Sequence, residues 1–166
     1  MWKITFKGII LFLLQFLIFN NLIFFNRFEA NILTLSMLIL PFSFDGFKTL
    51  LFVFPLGILN DILMPGTHPD TFALLIPAFL RKPILNTFIL PGKYMGYEIP
   101  SYHLIGHWRF FLLLTTFQFI YVFFQYLVTF SHLQFFFKTA LYFITQVIIN
   151  TVCSAGVAFL FFPKSR

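Results

Sequence analysis

Two long stretches without a charged side chain limit most strongly how this chain can fold. No Asp, Glu, Lys or Arg occurs between Arg109 and Lys138, or between Lys138 and Lys164. An α-helix rises about 1.5 Å per residue and the hydrocarbon core of a bilayer is about 30 Å thick, so about 20 apolar residues cross it. We therefore predict membrane-spanning helices at roughly 109–130 and 137–162.

The composition of the whole chain also indicates a membrane protein. Of the 166 residues, 60% are apolar and 10% are charged, and the mean hydropathy is +0.92. A soluble domain carries about 25% charged residues, so this chain has too few to cover a surface in water. The net charge is +6, but the basic residues are scattered at the ends of apolar runs. They indicate membrane topology and a lipid bilayer as partner, and no nucleic acid.

The apolar runs predict one all-α integral membrane domain over 1–166 with about six transmembrane helices. Their boundaries are roughly 8–25, 31–44, 47–64, 70–82, 109–130 and 137–162. Lys3 and Lys7 precede the first run as in a signal peptide, but the run continues without a small-residue cleavage site. We therefore interpret it as a retained helix.

The fourth helix is the weakest of the six because only about ten of its residues are uncharged, and Pro77 is among them. Runs this short are more often re-entrant or interfacial. Short cytoplasmic loops are rich in Lys and Arg. With six crossings and the N-terminus inside, nine of the 11 basic residues lie inside and two, Arg27 and Lys138, outside. If the fourth helix turned back, four would lie inside and seven outside. The count favours six crossings with both termini in the cytoplasm.

Asp61 is an acidic residue near the outer end of the third predicted helix, next to Asn60 and one turn after Gly57. A carboxylate in lipid costs several kcal/mol, so we expect its side chain to face protein or water. One interpretation is an ion or partner contact. The favoured one is a helix-end residue that reaches the interface or accepts hydrogen bonds from the turn at 66–68.

The last predicted helix carries Gln146, Asn150 and Ser154 at intervals of four residues, which places them on one face. Ala155 and Ala158 give a neighbouring small-residue face, and the fifth helix has a similar polar series. Small residues let membrane helices approach closely, and amide side chains hydrogen-bond across them. We favour packing between helices five and six. The alternative is a seam for a partner's transmembrane helix.

Residues that could support catalysis are sparse. The sequence has no phosphate-binding loop, no nucleophile elbow and no two acids on one helix face. Glu98, His103 and His107 suggest a metal site, because two His residues four apart can share a metal on a helix. Pro and Gly in the same segment disfavour a helix, so an interfacial segment is the simpler interpretation. We expect no enzymatic activity, no cofactor and no metal.

Three short motifs follow one another in the middle of the chain. Residues 57–61 read G-x-x-x-D, 66–68 read G-x-H, and 78–83 read A-F-L-R-x-P. This order resembles the rod shape-determining protein MreD family, and the helix spacing agrees over nearly the whole chain. The matched positions are Gly57, Asp61, Gly66, His68 and Arg81.

The resemblance implies a role and no reaction. MreD-like proteins belong to the bacterial inner membrane and to the elongation machinery that maintains rod shape and regulates peptidoglycan synthesis. Their implied partners are an MreC-like bitopic protein, MreB, RodA and a penicillin-binding transpeptidase. The family is also similar in fold to the substrate-binding component of energy-coupling-factor transporters. The alternative function is therefore a vitamin-like small-molecule binding component of a transporter, although the chain offers few charges for a polar pocket.

Overall fold

The computed structural model describes residues 2–24, 28–63, 69–89, 99–129 and 140–162, and these residues are mostly helical. The helices are α1 (Trp2–Leu17), α2 (Leu35–Ile39), α3 (Gly46–Leu63), α4 (Asp70–Phe79), α5 (Arg81–Phe88), α6 (Tyr102–Ile105), α7 (His107–Thr129) and α8 (Ala140–Phe161). A 3₁₀ turn (Phe19–Asn21) precedes two short strands, β1 (Ile23–Phe24) and β2 (Phe28–Glu29). The strands pair antiparallel, with Ile23 opposite Glu29 and Phe24 opposite Phe28.

Within the residues that the structure describes, three helices are long and apolar enough to cross a membrane. They are α3, α7 and α8, with 18, 23 and 22 residues. Their bounds lie close to the predicted 47–64, 109–130 and 137–162, of which 64, 130 and 137–139 lie outside the described residues. α4 and the region of α1 are apolar but shorter. The architecture is consistent with the predicted all-α membrane protein.

The first predicted helix, 8–25, is shifted in the structure. α1 begins at Trp2 and ends at Leu17. The Asn21 side chain donates hydrogen bonds to the carbonyl oxygens of Phe16 and Leu17, at 3.4 and 3.1 Å. Asparagine side chains compete with the backbone for such carbonyls, which explains why the helix ends before the apolar run does.

The second predicted helix, 31–44, is wrong as a continuous helix, since only α2 is helical there. Every residue in 30–41 is buried. The Asn31 side chain accepts a hydrogen bond from the Leu33 amide at 2.9 Å, a local turn that competes with helix. Pro41 cannot donate to a further helical turn. We call 30–44 the buried segment.

The fourth predicted helix, 70–82, is divided into α4 and α5 at Leu80. The reason is Pro83, which lacks an amide hydrogen and clashes with the carbonyl four residues earlier inside a continuous helix. In the first turn of a new helix both effects are harmless. α5 also continues beyond the predicted end at residue 82, to Phe88.

α3 and α4 pack antiparallel and touch through glycines. A Cβ added to Gly57 would lie 2.8 Å from Thr71 Cα, and one added to Gly46 would lie 2.7 Å from the Phe79 carbonyl oxygen. Lys7 Nζ donates to the Phe161 carbonyl at 3.2 Å. The start of α1 and the end of α8 therefore lie at the same end of the molecule.

We expect Gly57→Ala to lower the free energy of unfolding by up to about 2 kcal/mol. The added methyl group overpacks the α3–α4 contact at a cost of about 1–3 kcal/mol, partly offset by about 1 kcal/mol of better helix propensity. Gly156→Ala is the matched control, because a Cβ there meets nothing within 4 Å. It should raise the melting temperature in detergent. Equal shifts for the two variants would contradict the close contact.

The molecule has an apolar surface, unlike a soluble protein, and an interior that is apolar with a polar part. Large apolar side chains are exposed along α3, α7 and α8, including Phe47, Leu141 and Leu160. Amide and hydroxyl side chains from several helices are buried together with Asp70 and Arg81. Buried polar groups and an apolar exterior are typical of helices that lie in lipid.

Candidate functional site: the buried polar core

Asp70, in the first turn of α4, is the centre of the buried polar core and is 5% exposed. Its Oδ1 accepts hydrogen bonds from the Tyr121 hydroxyl and from Gln125 Nε2, the latter at 3.1 Å. Its Oδ2 accepts from Asn60 Nδ2 at 2.6 Å and from Asn31 Nδ2 at 3.2 Å. Both carboxylate oxygens are thus occupied by donors from α3, α7 and the buried segment.

A chain of side-chain amides leads from the backbone to this carboxylate. The Ile32 amide donates to Gln15 Oε1 at 2.7 Å, and Gln15 Nε2 donates to Asn20 Oδ1 at 2.5 Å. Asn20 Nδ2 donates to Asn60 Oδ1 at 3.0 Å, and Asn60 in turn donates to Asp70. A backbone amide can only donate, so it fixes the direction of every amide in the chain. The chain ends at the Asp70 carboxylate, which accepts a hydrogen bond and donates none.

Asp61 lies at the end of α3 and binds the start of α4. Its Oδ1 accepts from the Asp70 amide at 2.9 Å, and its Oδ2 accepts from the Thr71 amide at 3.1 Å and the Thr71 hydroxyl at 2.6 Å. The first amides of a helix lack partners within it, and a carboxylate there also interacts favourably with the helix dipole. Asp61 therefore acts as a helix-end residue. The turn at 66–68, with Gly66 and His68, lies outside the described residues.

Arg81, fully buried between α4 and α5, binds the end of the buried segment through backbone carbonyls. Nε donates to Met37 O at 2.8 Å, and Nη1 donates to Phe44 O at 2.9 Å. Nη2 donates to Leu40 O at 2.6 Å and to Pro41 O at 3.0 Å. The carbonyls at a helix C-terminus carry partial negative charge, which suits a cation. We call this arrangement the Arg81 clamp.

The polar face of α8 points into the molecule. Asn150 Oδ1 accepts from the Asn31 amide at 3.0 Å and from Gln146 Nε2 at 3.3 Å. Ser154 Oγ lies 2.8 Å from Gln118 Nε2 of α7. The polar face of α8 therefore packs within the chain and is not left open for a partner's helix.

Ala155 and Ala158 differ from each other. Ala158 is buried, whereas Ala155 is half-buried. Both line a cavity of about 360 Å³ between α6, α7 and α8, whose wall includes Trp108 and Phe159. The small-residue face therefore lies partly at the surface.

The sequence analysis predicted no site role for Asp70, although it predicted a helix that begins at this residue. The spacing of Tyr121 and Gln125, one turn apart on α7, was the available signal that a polar partner faces them. His103 and His107 pack against the Tyr102 ring, with centroid distances of 3.9 and 5.2 Å.

Comparison of the chain with protein-family models, curated proteins and solved structures finds no match.

Proposed function

We propose that the protein is a non-enzymatic component of a bacterial cell-elongation machinery that acts by binding an MreC-like bitopic membrane protein. The observation that supports this is the role of the matched residues. Gly57 sets the α3–α4 contact, Asp61 binds the start of α4, and Arg81 binds the buried segment. All three fix helix positions, as expected for residues that shape a scaffold. MreB, RodA and a penicillin-binding transpeptidase would be further members of the assembly.

The proposed topology has six crossings of the inner membrane and both termini in the cytoplasm. The distribution of basic residues supports it, as does the contact between Lys7 and Phe161 at one end of the molecule. The buried segment runs beside α4 in the same direction, since Asn31 contacts Asp70 and the later carbonyls contact Arg81. Residues 30–44 and 70–81 would thus both lead back to the cytoplasm.

Reporter fusions test this topology. A fusion after residue 166 should report a cytoplasmic location, and one inserted within 65–70 should report a periplasmic location. The reason is the excess of Lys and Arg in the loops assigned to the cytoplasm. A periplasmic C-terminus would contradict six crossings.

The half-exposed side of α8 around Ala155 is the proposed contact for the partner's transmembrane helix. We expect Ala155→Trp to reduce co-purification of an MreC-like protein at least about fivefold, because close helix approach supplies much of the affinity in lipid. Leu160→Trp is the matched control. It is also exposed on α8 but lies about 140° around the helix from Ala155.

Protein level and melting temperature are measured for both variants, so that loss of association is separated from loss of folding. Unchanged association in Ala155→Trp would remove this face as the contact. No association with any elongation protein, together with tight binding of a vitamin-sized molecule, would favour the transporter alternative.

A further inference from the structure

A groove with a volume of about 510 Å³ lies between α3 and α4, outside the buried polar core. Its walls are apolar side chains, including Phe47, Leu51, Phe54, Leu75, Phe79 and Leu80. Phe47, Leu51 and Phe79 are all more than 60% exposed. The groove is therefore an open apolar channel on the surface of the two helices. One end of it lies where these helices touch through Gly46.

Two exposed lysines lie at that end of the groove. Lys48 follows Phe47, and Lys82 lies two residues after Leu80. Lys82 Nζ is 2.9 Å from Asp45 Oδ1. This hydrogen bond lowers the pKa of Asp45 below its ordinary value, and the charge of Lys48 adds a smaller effect. Asp45 is thus paired with Lys82, and among the described residues at this end Lys48 is left as a surplus positive charge. Arg81 adds no exposed charge because its guanidinium is buried among carbonyls.

We propose that this groove binds one acyl chain of an anionic phospholipid, with the phosphate at Lys48 and Lys82. The length of the groove favours a lipid over a partner helix. From Phe47 to Phe54 the helix rises only about 10 Å, whereas a spanning helix would need a seam of about 30 Å. Basic residues beside transmembrane helices attract anionic headgroups, and each contributes about fivefold in affinity. The surplus of one positive charge matches a monoanionic phosphate.

The test is a titration of the purified full chain with phosphatidylglycerol in mixed micelles, with bound lipids counted by native mass spectrometry. Lys48→Gln should weaken binding about fivefold, and Lys48→Gln with Lys82→Gln about 25-fold. Asp45→Asn should instead strengthen binding, because it frees Lys82. Arg109→Gln is the control, since it removes an exposed cation of α7 that does not line the groove.

Phosphatidylcholine separates the headgroup from the chain. We expect it to bind more weakly than phosphatidylglycerol and to be insensitive to the lysine substitutions. Leu51→Trp should weaken both lipids because the larger ring occupies the groove. The proposal would be overturned if Arg109→Gln weakened phosphatidylglycerol binding as much as the double lysine substitution does. It would also be overturned if Asp45→Asn left binding unchanged. A photoreactive group at position 51 would also contradict the proposal if, in native membranes, it crosslinked to a protein and not to lipid.

Discussion

Replacing Arg81 with methionine is expected to lower the free energy of unfolding by about 4 kcal/mol or more. The guanidinium group donates to four carbonyl oxygens of the buried segment. A buried polar group left without a partner costs about 1–3 kcal/mol. Methionine can donate to none of the four, and within the described part of the chain only the Pro41 oxygen among them keeps another donor, the Phe44 amide. Thermal and denaturant unfolding of the purified protein in detergent, followed by circular dichroism, measures the loss.

Lys82→Met is the matched control for that experiment. It removes the same charge one residue later, but from an exposed side chain whose ion pair with Asp45 is at the surface. Such pairs contribute about 0–1 kcal/mol. Arg81→Lys should fall between the two, because one ammonium group cannot reach carbonyls spread around a guanidinium plane. If Arg81→Met unfolded at the same denaturant concentration as Lys82→Met, the clamp would not stabilise the fold.

Asp70→Asn is expected to lower the free energy of unfolding by about 2–3 kcal/mol. The substitution keeps the shape of the side chain but turns one acceptor oxygen into an NH₂ group. That group would face donors already directed at Asp70, either from Asn60 and Asn31 or from Gln125 and Tyr121. At least one buried donor then loses its acceptor, which costs about 1–3 kcal/mol.

Asp61→Asn provides the comparison, since it makes the same chemical change nine residues earlier. Asp61 is only partly buried, so a donor that loses its acceptor there can turn to water instead, and a loss of about 1 kcal/mol or less is expected. Unfolding in detergent distinguishes the two positions. Similar losses in the free energy of unfolding for Asp70→Asn and Asp61→Asn would contradict this argument. They would mean that the donors around Asp70 do not require two acceptor oxygens there.

The sequence predicts best the bounds of the three longest apolar helices. α3, α7 and α8 differ from their predicted bounds by at most three residues at each end. Hydropathy alone could not distinguish the buried segment from a spanning helix, because both are apolar. A continuous helix is prevented locally by the Asn31 turn and by Pro41. The carbonyls left without helical partners accept hydrogen bonds from Arg81, which lies 37 to 44 residues away.

The buried polar core was predicted only in part for a similar reason. The face of Gln146, Asn150 and Ser154 could be predicted because its residues recur every four positions within one helix. Asp70 has no such pattern, and its partner Tyr121 lies 51 residues away. One sequence does not show which of two distant polar residues meet. The resemblance drew attention to Arg81, but its four carbonyl partners are visible only in three dimensions.

The buried segment has a consequence for how the chain is assembled during synthesis. Residues 30–41 hold their place through α4, α7 and α8, and the bond from the Asn31 amide to Asn150 joins residues 119 positions apart. When only the first half of the chain has been made, Gln15 and Arg81 can already bind backbone groups of this segment, but the Asn31 amide and carbonyl still lack Asn150 and Gln118. Unpaired backbone groups are costly in hydrocarbon. We therefore expect the start of the segment to reach its final place only after α7 and α8 have been made.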